Sequence, residues 1–232
     1  DMRTLLLALA LAPALVTAAG WGARARAEPV DLELVLAVDS SASVDYIEFN
    51  LQLEGLAYAF RDPDLVAAIG NGQYGAIAVT LMEWASTDRQ QSVLPWTRIA
   101  TAADAAAFAD RIDRSPRQIQ TGATSISSAI RVANRLFEGN GFEGTRRTID
   151  LSGDGYNNQG DALSSARAEV LATGTTINAL AIENQVLGLG DYFEDQLIGG
   201  VGAFVIRAES YRDYLGKIRR KLLREIQAAP MS

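Results

Sequence analysis

The run Asp39-Ser40-Ser41-Ala42-Ser43 sets a carboxylate and two hydroxyls at alternate positions, D-x-S-x-S, straight after the apolar stretch 34–38. Small oxygen donors spaced this way can do two things. They can hold a hard cation, which prefers oxygen ligands, or Ser41 or Ser43 can cap the following helix by accepting a free backbone N–H. The loop by itself leaves both open. Two further segments add donors of the same kind: Thr124 follows the Gly122-Ala123 turn, and Asp154 follows the strand-like run 146–152 and precedes Gly155. Brought together, Asp39, Ser41, Ser43, Thr124 and Asp154 offer two carboxylates and three hydroxyls, with no nitrogen or sulfur. That set suits an octahedral hard ion, Mg2+ first, with Mn2+ or Ca2+ as alternatives.

What the chain lacks narrows the chemistry further. Its 232 residues include no cysteine and no histidine. Disulfides, thiolate metal sites, cysteine nucleophiles, Ser-His-Asp hydrolysis and histidine-ligated zinc are therefore all excluded.

The elements that must position these donors alternate along the chain. Runs 32–38, 74–84, 91–99, 146–152, 175–182 and 203–208 are short, apolar and bounded by turn residues, as strands should be. Segments 44–60, 102–112, 124–138, 162–174, 190–200 and 210–226 have helical spacing, clearest at Phe49, Leu53, Leu56 and Phe60. The polar turn 85–90 joins two strands into an antiparallel pair, and Pro95, which cannot donate to a ladder, puts the second at a sheet edge. This order predicts an α/β sandwich with a central, mostly parallel six-stranded sheet, one antiparallel edge strand and helices on both faces. In such sheets ligands bind at the carboxyl ends of the strands, where all three donor loops fall.

Residues 2–27 carry an early arginine, an apolar run from Leu5 to Val16 and a small-residue pattern at Ala25-Arg26-Ala27. They read as a secretory signal peptide cleaved after Ala27, leaving a single domain over 28–232; Pro13 and the short apolar run speak against a retained anchor. Losing Arg3, Arg24, Arg26 and Asp1 takes the formal charge from −7 to −9, with 18 basic and 27 acidic residues left. An acidic exported domain does not suit nucleic acid, and membrane contact is expected only if the N-terminal segment stays uncleaved. The two G-x-G-x-x-G matches, 70–75 and 139–144, follow helices and lead into strands, the reverse of a dinucleotide site, so they are turn glycines. On the last helix Tyr211, Tyr214, Leu215, Ile218 and Leu222 form an apolar stripe, with Lys217, Arg219, Arg220, Lys221 and Arg224 expected outward.

The spacing Asp39-x-Ser41-x-Ser43, then Thr124, then Asp154 resembles the metal-ion-dependent adhesion site of von Willebrand factor A domains, and the α/β alternation over 31–227 matches their Rossmann-like sandwich. More narrowly, EPVDLELVLAVDSSASVD, AVTLMEW, VLPWT, TIDLSGDGYNN and TTINALAI are similar to an uncharacterised family of exported bacterial proteins of that class. Ala42 stands where glycine is common, and Ile126 replaces a frequent hydroxyl residue. The resemblance implies that Ser41, Ser43 and Thr124 bind the ion directly and that Asp39 and Asp154 bind directly or through water. It also implies that a partner's Asp or Glu fills the open position. Asp45, Tyr46, Gln118, Tyr156, Asn157 and Asn158 are the candidate rim for that partner. The function expected is then a periplasmic or secreted, Gram-negative, metal-dependent protein-binding module without catalysis. The alternatives are a structural domain with a vestigial site and a metal-assisted phosphoester hydrolase, for which the nearest cation in sequence is Arg117. The last helix, 210–226, is placed to act as a switch or as static packing.

Overall fold

The structure is a computed structural model and describes residues 26–228. The expected signal segment lies outside the described residues except for Arg26 and Ala27. The strands are β1 (Glu28–Val30), β2 (Leu32–Asp39), β3 (Ile77–Trp84), β4 (Gln90–Ile99), β5 (Phe142–Gly144), β6 (Arg147–Gly153), β7 (Thr176–Ile182) and β8 (Val205–Ala208). The helices are α1 (Tyr46–Phe60), α2 (Pro63–Gly70), α3 (Ala102–Asp113), α4 (Ile126–Arg135), α5 (Leu163–Ala172), α6 (Leu189–Gln196) and α7 (Tyr211–Gln227).

Six strands make one sheet in the order β4-β3-β2-β6-β7-β8, parallel throughout except for β4, which runs antiparallel to β3 at the edge. Every residue of β2 is buried, because helices cover both faces. Its alternate side chains feed two cores. Leu32, Leu34, Leu36 and Val38 join α1, α2, α3 and α7 on one face, while Val35 and Ala37 join α4, α5 and α6 on the other. The chain leaves β2 toward β3 on one side and later returns to β6 on its other side. The carboxyl ends of β2 and β6 therefore flank the point where strand order reverses.

The short parallel pair β1–β5 and helix α2 have no counterpart in the sequence reading, since three-residue strands are too short to show a period. Glycines 70–75 and 139–144 do turn the chain into β3 and β5, with positive φ at Gly75, Gly139 and Gly141. Helix α4 begins at Ile126 rather than at Thr124. The preceding residues are held out of the helix by Ser125 N–H donating to Ala85 O at 2.9 Å, at the end of β3.

The last helix corrects one expectation. Lys221 is not outward but fully buried, and Leu215 is 37% exposed. Lys221 Nζ lies 2.7 Å from Glu225 Oε1 and 2.6 Å from Asp150 Oδ1, so two buried carboxylates supply the counter-charge that brings a lysine inside. The approach to Asp150 is an ion pair by distance but lies off the hydrogen-bonding direction, leaving both Asp150 oxygens and Glu225 Oε2 without hydrogen bonds.

Candidate metal centre

Asp39 ends β2 and Asp154 directly follows β6, so adjacent parallel strands deliver two carboxylates to one place. Both are buried, Asp39 at 0% and Asp154 at 1% exposure. Gly153 lets them approach: a Cβ there would sit 3.3 Å from Asp39 Oδ2 and 3.2 Å from the Trp84 ring. Asp39 Oδ1 accepts from Ser41 N–H at 2.8 Å, which folds the loop back over the strand end, and Oδ2 accepts from Asp154 N–H at 3.4 Å. Ser41 Oγ and Ser43 Oγ are 3.1 Å apart, and Ser43 Oγ donates to Asp154 Oδ1 at 2.7 Å. Neither serine caps α1. Asp45 does so, in a capping box with Glu48, which frees the two hydroxyls for the cluster.

Thr124 enters from the loop before α4. Its N–H donates to Asn158 Oδ1 and its carbonyl accepts from Asn158 N–H, both at 2.9 Å. A Cβ at Gly155 would meet Thr124 Oγ1 at 3.8 Å, so this hydroxyl faces the turn that follows Asp154. The loops are also tied backbone to backbone, Ala42 N–H donating to Gly122 O at 2.8 Å. Asp39, Ser41, Ser43 and Asp154 are thus joined by direct bonds, and Thr124 borders the Asp154 turn.

The expected rim separates into two kinds of residue. Tyr46, at 67% exposure, and Tyr156, at 45%, present their rings to solvent, and Gln118 is exposed. Asn157, half-buried, and Asn158, exposed, also bond to the loop before α4: Asn157 Oδ1 accepts Ser127 N–H at 3.0 Å, capping α4 where Ser125 does not, and Asn158 Oδ1 holds Thr124.

Several residues that support the site carry no motif. Arg117 directs its guanidinium at Ser40 Oγ, Ile119 O, Val44 O, Ser40 O and Ser41 O, at 2.7–3.2 Å, with its plane 5.2 Å from the Phe49 ring centre. It is a clamp on the first loop. Glu83 anchors the loop that holds Arg117 by accepting Gln118 N–H at 3.0 Å and Ile119 N–H at 2.8 Å, and burial pushes its carboxyl above the ordinary value. Tyr211, read from sequence as part of the apolar stripe, donates its hydroxyl to Asp154 Oδ2 at 3.0 Å and so links the start of α7 to the cluster. A tyrosine opening an amphipathic helix was the only signal for it.

The electrostatics of the cluster are unbalanced. Burial, and then the nearby charge of Asp154, push Asp39 from 3.8 up to about 7. No lysine or arginine forms an ion pair with Asp39 or Asp154 among the described residues, and Arg117 faces carbonyls instead. No group of three or more acidic or histidine side chains able to hold a metal exists among the described residues, and the donors beside the two acids are hydroxyls. The set fits a hard divalent ion: two close buried acids lack a cation, and three hydroxyls stand beside them. Ser41, Ser43 and Thr124 with Asp39 and Asp154 are the residues that would hold it, and the ion would supply positive charge to the acids and an electrophilic point for an outside carboxylate.

The profile of a family described as "Protein of unknown function (DUF1194)" matches residues 29–230. The chain belongs to the DUF1194 family. No curated protein matches this DUF1194 chain. Solved structures do. Proximal thread matrix protein 1 from the mussel byssus, with a zinc-occupied MIDAS motif, has a TM-score of 0.58 at 17% identity over 84% of this chain and 46% of that one. A D319A mutant of the PilB minor pilin from Streptococcus sanguinis has 0.61 at 13% over 85% and 62%. A von Willebrand factor type A protein from Catenulispora acidiphila has 0.58 at 13% over 85% and 43%. The DUF1194 chain spans less than two thirds of each of these proteins, about half in two of them. At these identities the likeness establishes the von Willebrand factor A fold.

Proposed function

We propose that this protein is an exported, metal-dependent protein-binding module, periplasmic or secreted in a Gram-negative bacterium, that captures an Asp or Glu carboxylate of a partner protein through a divalent cation. Asp39, Ser41, Ser43, Thr124 and Asp154 hold the ion, Mg2+ in the first instance and Mn2+ or Ca2+ as alternatives. The observation that carries the reading is the pair of buried carboxylates with no lysine or arginine partner among the described residues, set among hydroxyls at the strand-order reversal. Mostly neutral ligands leave a divalent ion electrophilic, which favours an incoming carboxylate over a tightly held hydroxide. The mussel protein's zinc-occupied motif on the same fold, and the pilin among the similar structures, support a divalent ion and an extracellular binding role. Phosphoester hydrolysis is disfavoured because Arg117, the cation nearest the loops in sequence, is saturated by backbone carbonyls and faces no substrate position.

One observation favours a second reading, a structural domain with a vestigial site: both Asp154 oxygens already accept hydrogen bonds, from Ser43 and Tyr211. Isothermal titration with Mg2+, Mn2+ and Ca2+ separates the two. The binding module gives a heat of binding that disappears in Asp39→Ala and Ser41→Ala. A vestigial site gives none in any of the three proteins.

A further inference from the structure

Beside the cluster, the first turn of α1 and two loops carry large, exposed apolar side chains. Ile47 is 69% exposed and Tyr46 67%, at the first turn of α1, and Leu187 is 87% exposed in the loop between β7 and α6. That loop is tied to the start of α1, because Asn184 Nδ2 donates to Glu48 Oε1 at 3.0 Å and Gln185 Nε2 donates to Ser43 O at 3.4 Å. The second bond reaches the backbone of a residue in the cluster itself. On another side Tyr156, one residue past Gly155, stacks edge-on against Tyr192 of α6 at 4.8 Å, and Asn157 N–H donates to the Tyr192 hydroxyl at 3.4 Å. Exposed hydrophobic side chains are ordinary when scattered, but Tyr46, Ile47 and Leu187 stand on two segments bonded to one another beside Ser43.

The start of α1 that carries Tyr46 and Ile47 is acidic. Asp45 is exposed and Glu48 is half-buried, and Glu48 lies near enough to Tyr211 for its charge to bear on that hydroxyl. The nearby guanidinium, Arg117, is turned onto carbonyls. An incoming acid is therefore welcome only at the ion itself, and its neighbours must be apolar or basic.

We infer that Tyr46, Ile47 and Leu187 form an apolar collar that reads the residues flanking the captured carboxylate. The occupant is a partner segment with a single Asp or Glu between aliphatic side chains and with basic residues beyond them. The inference rests on the metal-dependent reading above and specifies its partner. Charge complementarity selects this occupant: a second copy of this acidic chain, with net charge −7, would bring like charge to the mouth.

The test uses the full chain and synthetic, end-blocked peptides in Mg2+: Lys-Leu-Asp-Leu-Lys, Lys-Ser-Asp-Ser-Lys, Glu-Leu-Asp-Leu-Glu and Lys-Leu-Asn-Leu-Lys. The first is expected to bind about tenfold tighter than the serine peptide, as burial of aliphatic side chains requires. It should also bind tighter than the glutamate-flanked one, and the asparagine peptide should bind least. In Ile47→Ser/Leu187→Ser the leucine preference should vanish while the heat of Mg2+ binding persists. Equal binding of leucine and serine peptides, or a preference that survives in the double variant, overturns the collar while leaving Mg2+-dependent capture standing. Binding of the leucine peptide that ignores both EDTA and Asp39→Ala overturns the metal reading, and the collar with it.

Discussion

The molecule contains two pairs of buried carboxylates, and the chain treats them differently. Asp150 and Glu225 lie in the core with Lys221 between them, its ammonium within 2.7 Å of an oxygen of each. Asp39 and Asp154 are buried as deeply, yet among the described residues no lysine or arginine joins them, only hydroxyls and backbone N–H groups. Desolvation makes an isolated buried charge costly, so each pair needs a positive partner or a retained proton. Inside, the chain supplies that partner itself. At the carboxyl ends of β2 and β6 it supplies small oxygens, the arrangement in which the proposed ion would bring the positive charge.

The largest effect should come from removing the built-in cation. Lys221→Met leaves two carboxylates buried without a counter-charge and should cost about 3–5 kcal/mol of stability in urea unfolding. A loss below about 1 kcal/mol would mean the inner pair is neutralised by protons rather than by the ammonium. Next comes the proposed cation. Mg2+ at about a hundred times its Kd should stabilise the wild-type protein by about 2.7 kcal/mol and leave Asp39→Ala unmoved, read as a rise in Tm. An equal rise in both proteins would place the ion elsewhere.

The contrast between the pairs also appears in pH. Asp39 goes from 3.8 to about 7 in the fold, so the ion-free folded protein keeps a proton that the unfolded chain has released. Its stability is then full below about pH 4 and falls as the pH rises through about 7. Burial and the charge of Asp150 raise Glu225 from 4.5 to about 8, against the pull of Lys221, and the sign is the same. Saturating Mg2+ replaces the Asp39 proton but cannot reach Glu225. The expected outcome is that Mg2+ flattens part of the pH dependence of urea midpoints and leaves a residual decline toward pH 8. A slope identical with and without Mg2+ would dissolve the distinction between the pairs.

The smallest effect is at the seam between them. Tyr211→Phe removes the hydroxyl donated to Asp154 Oδ2 and should lower ion-free stability by about 1 kcal/mol while tightening Mg2+, because that oxygen is released. Weaker Mg2+ binding in the variant, read by titration, would show that the hydroxyl orders the site instead of competing with the ion.

Much of this was legible in the chain. The fully buried strand at 32–39, the antiparallel edge strand marked by Pro95 and the alternation of elements follow from apolar period and turn residues, which act locally. The five oxygen donors could be picked out because small polar residues directly after an apolar run are conspicuous. Other features depend on partners far along the chain. Lys221 looked like one more basic residue on an exposed face, since nothing near it in sequence announces Asp150. The bonds by which Asn157 and Asn158 cap or hold the loop before α4, and by which Arg117 clamps a loop more than seventy positions away, have no sign in the sequence.

The sequence by itself determined the element types, their order and the oxygen-only chemistry, because hydrophobic period and the lack of histidine and cysteine are properties of the chain regardless of its path. The tertiary structure alone decided which charges meet. Strand order put Asp39 beside Asp154 with no lysine or arginine partner among the described residues, and α7 laid Lys221 between Asp150 and Glu225, for electrostatic balance depends on distances that only the folded path sets.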